Sequence, residues 1–191
     1  MTTLSTARLT LRPWREADLG PFAELNADPE VMQFMPARLS REQSDALASH
    51  AAAALAARRF GLWALELQAT AEFLGYVGLA EVGFTAHFTP CREVLWRLKR
   101  LAWGHGYATA ATRACLTFAF ATLRAPEVVA FTVPRNSRSR AVMERLGMHH
   151  DPAADFEHPR LPEGHPLRAH VLYRIASAEW PQQVHGSPLR A

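Results

Sequence analysis

Residues 103–108 read W-G-H-G-Y-A, and a long helix-forming run, T-A-A-T-R-A-C-L-T-F-A-F-A-T-L, follows at once. The start of a helix leaves four backbone N–H groups without intrahelical partners, and the macrodipole adds about half a positive charge there. Glycine lets the chain turn sharply and lets a ligand reach the main chain, because no Cβ intervenes. Gly104 and Gly106 stand between a strand-like run, Glu93–Leu98, and a helix starting at Tyr107, so they can build an anion site. A plain tight turn uses glycines in the same way. A Rossmann turn needs G-x-G-x-x-G, but Thr109 holds the third place, and no acidic residue ends a second strand about 20 residues on. The G-x-x-x-x-G-K-[ST] pattern of a Walker A loop is absent.

The rest of the chain alternates between two periods. R-L-T-L-R (8–12) alternates as a strand and Pro13 ends it; residues 16–26 place Leu19, Phe22 and Leu25 on one helical face. Ser40 and Gln43 form a capping box ahead of the alanine-rich helix 45–59. Residues 62–67 and 73–79 read as a hairpin about the polar link 68–72, and 93–98, 128–133 and 168–176 as further strands. Residues 136–146 read as a helix with Gly147 as its C-cap. Early hairpins followed by a β-α-β unit predict an α+β domain, a mixed and largely antiparallel sheet flanked by helices. It spans 1–180, with 181–191 as a flexible tail.

Composition narrows the function. With 191 residues, 49% hydrophobic and 20% charged, the chain can bury a sizeable core. Charges interrupt every apolar run well short of the ~20 residues of a membrane span, and the N-terminus lacks a secretory layout. Cys91 and Cys115 read as reduced thiols, which points to the cytoplasm. A net charge of +3 without a dense basic run argues against nucleic acid and suits an anionic small molecule. His158, His165 and His170 share a segment but have no compact ligand spacing, so no metal is expected.

The stretch E-V-L-W-R-L-K-R-L-A-W-G-H-G-Y-A-T-A-A (93–111) resembles the acyl-CoA-binding segment of the GNAT superfamily of N-acetyltransferases. Within it, the chain is similar to the RimJ/RimL-like branch. The superfamily loop runs Arg/Gln-x-x-Gly-x-Gly/Ala; Gly106 and Ala108 fit, and Trp103 stands where Arg or Gln is commoner. N-S-R-S-R-A-V-M-E-R-L-G-M (136–148) matches the family's Asn-x-x-Ser/Ala and Leu-Gly-Phe/Met pattern. R-L-T-L-R-P-W followed by E-A-D is typical of the branch.

The resemblance implies direct acetyl transfer from acetyl-CoA to an amine, either a protein N-terminus or a small molecule. It places the CoA diphosphate on the amides of His105, Gly106, Tyr107 and Ala108, with Trp103 and Gly104 of the same loop also binding the cofactor, and the pantetheine arm along the strand end at Trp96 and Leu98. The amide of Leu98 is a candidate to polarise the thioester. Asn136 would cap its helix and touch the arm. Many relatives carry an acidic Tyr seven residues after the Asn; here that position is Met143, and Ser139 becomes the candidate proton donor. Glu93 and His170 are candidate bases, with Glu157 and His158 as alternatives. Phe34 and Met35 would line the acceptor cleft, and one or two of Arg138, Arg140 and Arg145 would meet the CoA 3′-phosphate. The branch commonly forms homodimers. Met143 also leaves open a different class, an acyl-CoA-binding sensor or interaction module without turnover.

Overall fold

The sheet begins from the alternation in L-T-L-R. The computed structural model describes residues 2–180; the tail read as flexible, 181–191, lies outside the described residues. Strands β1 (Leu4–Ser5) and β2 (Leu9–Arg12) pair antiparallel, and Leu9 and Leu11 are fully buried. Helices α1 (Leu19–Ala27) and α2 (Arg41–Arg58) follow, then β3 (Leu62–Leu67), β4 (Glu72–Glu81) and β5 (Arg92–Leu98). Helix α3 (Tyr107–Ala121), β6 (Glu127–Thr132) and α4 (Ser137–Arg145) come next. The short β7 (His149–His150) and β8 (Phe156–Glu157) precede β9 (Ala169–Ala176). The strand order is β1-β2-β3-β4-β5-β6-β9-β7, with β8 also on β9, and only the β5–β6 pair is parallel. The α+β expectation holds.

Period-two alternation sends successive side chains to opposite faces of the sheet. Val94 and Leu98 of β5 join a large cluster with Cys115, Leu116 and Ala119 of α3. Leu95 packs instead on the cluster of Phe22, Leu25, Ala64, Phe73 and Tyr76, which lies toward α1. Strand β5 therefore offers one face to α3 and the other to α1 and the loop after it.

Local sequence explains most boundaries. Ser40 Oγ accepts from the Gln43 N–H and Gln43 Oε1 accepts from the Ser40 N–H, completing the capping box at α2. Gly147, at φ 77°, closes α4. The first helix departs from expectation: residues 16–18 form a 3-10 turn before α1. Asp18 is drawn back to accept from the Arg15 N–H and from Arg12, which tightens that turn. Strands β1, β7 and β8 have two residues each, too few to show a period.

The R-P-W/E-A-D pattern has a structural role. Arg12 donates to both oxygens of Asp18, at 2.7 and 2.8 Å, and through Nε to Glu66 at 2.6 Å. Arg12 and Asp18 are 5% and 2% exposed. Removing one partner of a buried pair strands the other charge. Asp18→Ala is expected to lower unfolding free energy by about 3–5 kcal/mol in urea titrations, against little change for Arg41→Ala in the exposed Arg41–Asp45 pair.

Candidate active site

Strands β5 and β6 pair at two positions, Arg92↔Val128 and Glu93↔Val129, and then part. The register of β4 with β5 decides what this opening exposes. Lys99 N–H donates to the Leu74 carbonyl and Val82 N–H to the Cys91 carbonyl, so the odd-numbered residues of β5 exchange hydrogen bonds with β4. The even-numbered ones turn their N–H and C=O groups the other way, toward β6. Past the last β6 pair, Trp96 and Leu98 thus present main-chain groups to an open slot. The Leu98 carbonyl is taken by Trp103 Nε1 at 3.0 Å, which ties the glycine loop to the strand end. The Leu98 N–H and both groups of Trp96 face the gap.

The loop at the mouth of the slot has the geometry of an anion cradle. Gly104 and Gly106 have φ of 79° and 76°, a region closed to most side chains. Gly106 is the N-cap of α3 and supplies no side-chain acceptor, so the amides of the first turn stay free. Two cations flank them. Arg138 stacks on Trp103 with its guanidinium 4.1 Å from the ring centre. Arg8 stacks on Tyr107 at 4.8 Å and donates to the His105 carbonyl at 2.9 Å.

Across the slot, Asn136 caps α4. Its Oδ1 accepts from the Ser139 N–H at 3.3 Å, and its Nδ2 donates to Thr132 Oγ1 at 2.8 Å and Ser139 Oγ at 3.0 Å. The amide of Asn136 is thereby occupied by the protein. Ser139 Oγ accepts one bond, which leaves its O–H proton to point elsewhere.

Slot, loop and both flanks open into one cleft of about 1350 Å³. That is more than a single drug-sized ligand fills, and it suits two substrates. The loop after α1 roofs the far side with Phe34 and Met35. Glu93, half-buried on the cleft floor, has no hydrogen-bonding or charged partner among the described residues, and burial pushes its carboxyl up to about 8. His158 and His170 stand 5.1 Å apart, ring to ring, against Phe131. Burial, chiefly, lowers the pKa of both, and for His158 the neighbouring His170 and Arg160 add to it. His170 Nδ1 must donate to the Arg168 carbonyl, 3.0 Å away, so the neutral ring keeps its lone pair on Nε2.

Most residues anticipated from sequence meet in this cleft: Glu93, Trp96, Leu98, Trp103, Gly104, Gly106, Tyr107, Ala108, Asn136, Ser139, His158, His170, Phe34 and Met35 all line it. His105 does not; its ring turns outward onto Tyr107 and its carbonyl is held by Arg8. Glu157 pairs with Arg168 outside the cleft wall. Arg138 and Arg145 line the cleft, whereas Arg140 is held by Tyr173 and the Pro134 carbonyl. Sequence reading missed Arg8, Arg97 and Arg160; single arginines on a strand or in a loop carry no spacing signal. Among the described residues no cluster of His, Cys, Asp or Glu has the makings of a metal site, and no helix is long and apolar enough to cross a membrane.

Residues 8–149 match the family model described as acetyltransferase (GNAT) domain. FsC-acetyl coenzyme A-N(2)-transacetylase of Aspergillus fumigatus is 32% identical over 189 aligned residues, covering 93% of this chain and 77% of that protein. YkkB of Bacillus subtilis, an uncharacterized protein, is 31% identical over 150, covering 78% and 86%. An acetyltransferase structure from Agrobacterium tumefaciens superposes with a TM-score of 0.72 at 29% identity, covering 92% of this chain and 94% of that one. Mycobacterium smegmatis RimJ in complex with CoA-disulfide shares the fold, with a TM-score of 0.75 at 22% identity over 94% and 90%.

Glu93 links stability to pH. The folded chain holds its proton up to about 8, whereas an unfolded glutamate releases it near its ordinary value of 4.5. The native state binds more protons between those values, so this group's contribution declines as pH rises through the window. Glu93→Gln is expected to match the wild type in urea unfolding at pH 4 and to exceed it at pH 8.5 by on the order of 2–3 kcal/mol, below the full linkage value because the cleft admits water.

Proposed function

The chain belongs to the GNAT acetyltransferase family, and from that premise we propose that it moves an acetyl group from acetyl-CoA directly to a primary amine, both substrates being bound together. The reading is carried by one observation: an unpaired strand edge in β5 leads straight from a free helix N-terminus into a cleft large enough for two ligands. The Aspergillus relative, whose name specifies acetyl coenzyme A and an N(2) position, supports the same donor and a nitrogen acceptor.

The diphosphate sits on the first-turn amides from Gly106 to Thr109, between Arg8 and Arg138. The two amide groups of the pantetheine arm bond to the edge of β5, as an added strand would. The diphosphate lies at the C-terminal end of β5, so the thioester reaches the closed end of the slot. Trp96, past the end of the pairing with β6 and nearer to it than Leu98, is the better placed of the two to give its N–H to the thioester carbonyl. The amine nitrogen attacks that carbonyl, a C–N bond forms and the C–S bond breaks. The ionised form of Glu93 receives the proton of the amine, so transfer is expected to rise with pH toward about 8, where its raised pKa matches an α-amino group. His170 Nε2 is the second candidate base. The Ser139 O–H supplies a proton to the departing thiolate, and Asn136 positions Ser139. His105 serves the loop through its main chain.

Met143 favours a second reading, a CoA sensor without turnover, because a buried thioether stands where many relatives carry a phenol. Thiol release from acetyl-CoA against a panel of peptides and small amines separates the two. Amine-dependent release establishes the transferase; tight CoA binding with no release from any amine establishes the sensor. Gly106→Glu is expected to weaken CoA binding at least ~100-fold in calorimetry, because a carboxylate enters the phosphate cradle and a side chain is forced to positive φ. Ser139→Ala is expected to cut kcat about 10–100-fold with CoA affinity changed less than threefold, and equal losses in both would reduce Ser139 to a binding group.

A further inference from the structure

Arg97 carries a charge that the protein leaves unbalanced. It projects from the face of β5 that looks toward α1, and it lines the cleft. Its Nη1 donates to Asn26 Oδ1 at 2.6 Å, its Nη2 lies 3.1 Å from Met35 Sδ, and the guanidinium sits 5.5 Å from the centre of the Tyr76 ring. Asn26 is fully buried, and so is Ser44, whose Oγ accepts from Asn26 Nδ2 at 2.9 Å. That bond fixes which end of the Asn26 amide meets Arg97. A polar chain from α2 through α1 therefore holds one guanidinium against the cleft wall. Among the described residues no carboxylate lies within ion-pair reach of Arg97. The acids of the adjoining loop are engaged elsewhere: Glu30 pairs with Arg100, and Asp28 accepts from the amides of Glu30 and Val31.

A half-buried guanidinium without a counter-charge is costly, and three of its five N–H donors have no partner among the described residues. A second cation, Arg160, borders the cleft beside Gly83, whose carbonyl it holds at 2.6 Å. Among the described residues that line the cleft, the one unpaired acid is Glu93, and it keeps its proton up to about 8. Near neutral pH the acceptor half thus offers cations and little free negative charge. A polyamine is repelled there and an anion is drawn in.

We propose that the amine acceptor carries a carboxylate, and that Arg97 receives it as a two-pronged ion pair. This rests on the acetyl-transfer reading above. Glu93 and Arg97 share one strand face four residues apart, about 13 Å along β5. An acceptor that meets both must separate its amine from its carboxylate by several bonds, as an ω-amino acid or a short peptide does. A single planar fork matches a carboxylate better than a phosphate dianion, which calls for more than one nearby cation.

Matched pairs test the assignment: 6-aminohexanoate against 6-aminohexanamide, and triglycine against its amide. KM from thiol release and calorimetric affinity for the CoA-loaded protein are read for each. The carboxylate member is expected to bind about tenfold or more tightly. Arg97→Gln erases that preference, Arg97→Lys keeps part of it, and neither changes the KM for acetyl-CoA more than twofold; thermal melts check that both variants fold. Amide members that bind as tightly as their carboxylate twins overturn the proposal, while their acetylation leaves the transferase reading intact. A loss of acetyl-CoA affinity in Arg97→Gln with the carboxylate preference retained also overturns it, and assigns Arg97 to the donor. If no amine is acetylated, the transferase reading falls, and the calorimetric comparison still decides whether the carboxylate site exists.

Discussion

A sheet that stops pairing in its own interior is the constraint on which this site depends. Strands β5 and β6 share two register positions and then diverge, although both are central and both are fully paired on their other sides. Main-chain donors and acceptors at the middle of a sheet are normally matched, because an unmatched buried amide costs as much as a lost hydrogen bond. Here the divergence keeps them in contact with the cleft, and a ligand bearing amides can complete the ladder. Helix α3 is what makes the gap persist: Val94 and Leu98 are anchored in its core, while α4 and Asn136 hold the end of β6.

Much of this architecture is legible in the sequence. The glycine loop announces itself because positive φ and an uncapped helix start need particular residues at particular spacing. The Asn136–Ser139 cap reads equally well, because a side chain bonding three residues ahead is a local event. The splay of β5 from β6 does not: it arises between segments more than thirty residues apart, and no periodicity within either strand records where their pairing ends. The register displays it. Arg8 and Arg97 escaped for a related reason. Each acts through a partner distant in the chain, His105 for one and Asn26 for the other. Glu93 was visible as a glutamate at a strand start, but its missing counter-charge is a property of the folded cleft.

Charge is distributed so that the two ends of the cleft perform different tasks with the same residue type. At the mouth, the guanidinium groups of Arg138 and Arg8 sit over the rings of Trp103 and Tyr107, exposed beside the free amides. Trp103 couples loop and strand, since its indole N–H holds the Leu98 carbonyl while its ring carries Arg138. Trp103 thereby supplies a rigid platform for a cation from α4 in place of the Arg or Gln side chain commoner at its position. On the acceptor side, Arg97 is fixed by Asn26 rather than by an acid, which keeps its charge available to a ligand.

Geometry also favours an order of events. The slot separates the α3 face of the sheet from the face roofed by Phe34 and Met35, and the donor's arm would form the wall between them. An amine entering first would meet a neutral Glu93 and an open slot through which water reaches the floor. With the proposed arm in place the ladder would be filled, water would be kept from Trp96, and the thioester would lie at the vertex near Glu93. Desolvation then has two opposed effects: it strengthens the N–H donated to the thioester carbonyl and further disfavours the carboxylate of Glu93. In the proposed reaction the amine must therefore attack as the neutral species while Glu93 is ionised, having released its proton to solvent, which would tie turnover to pH more steeply than binding.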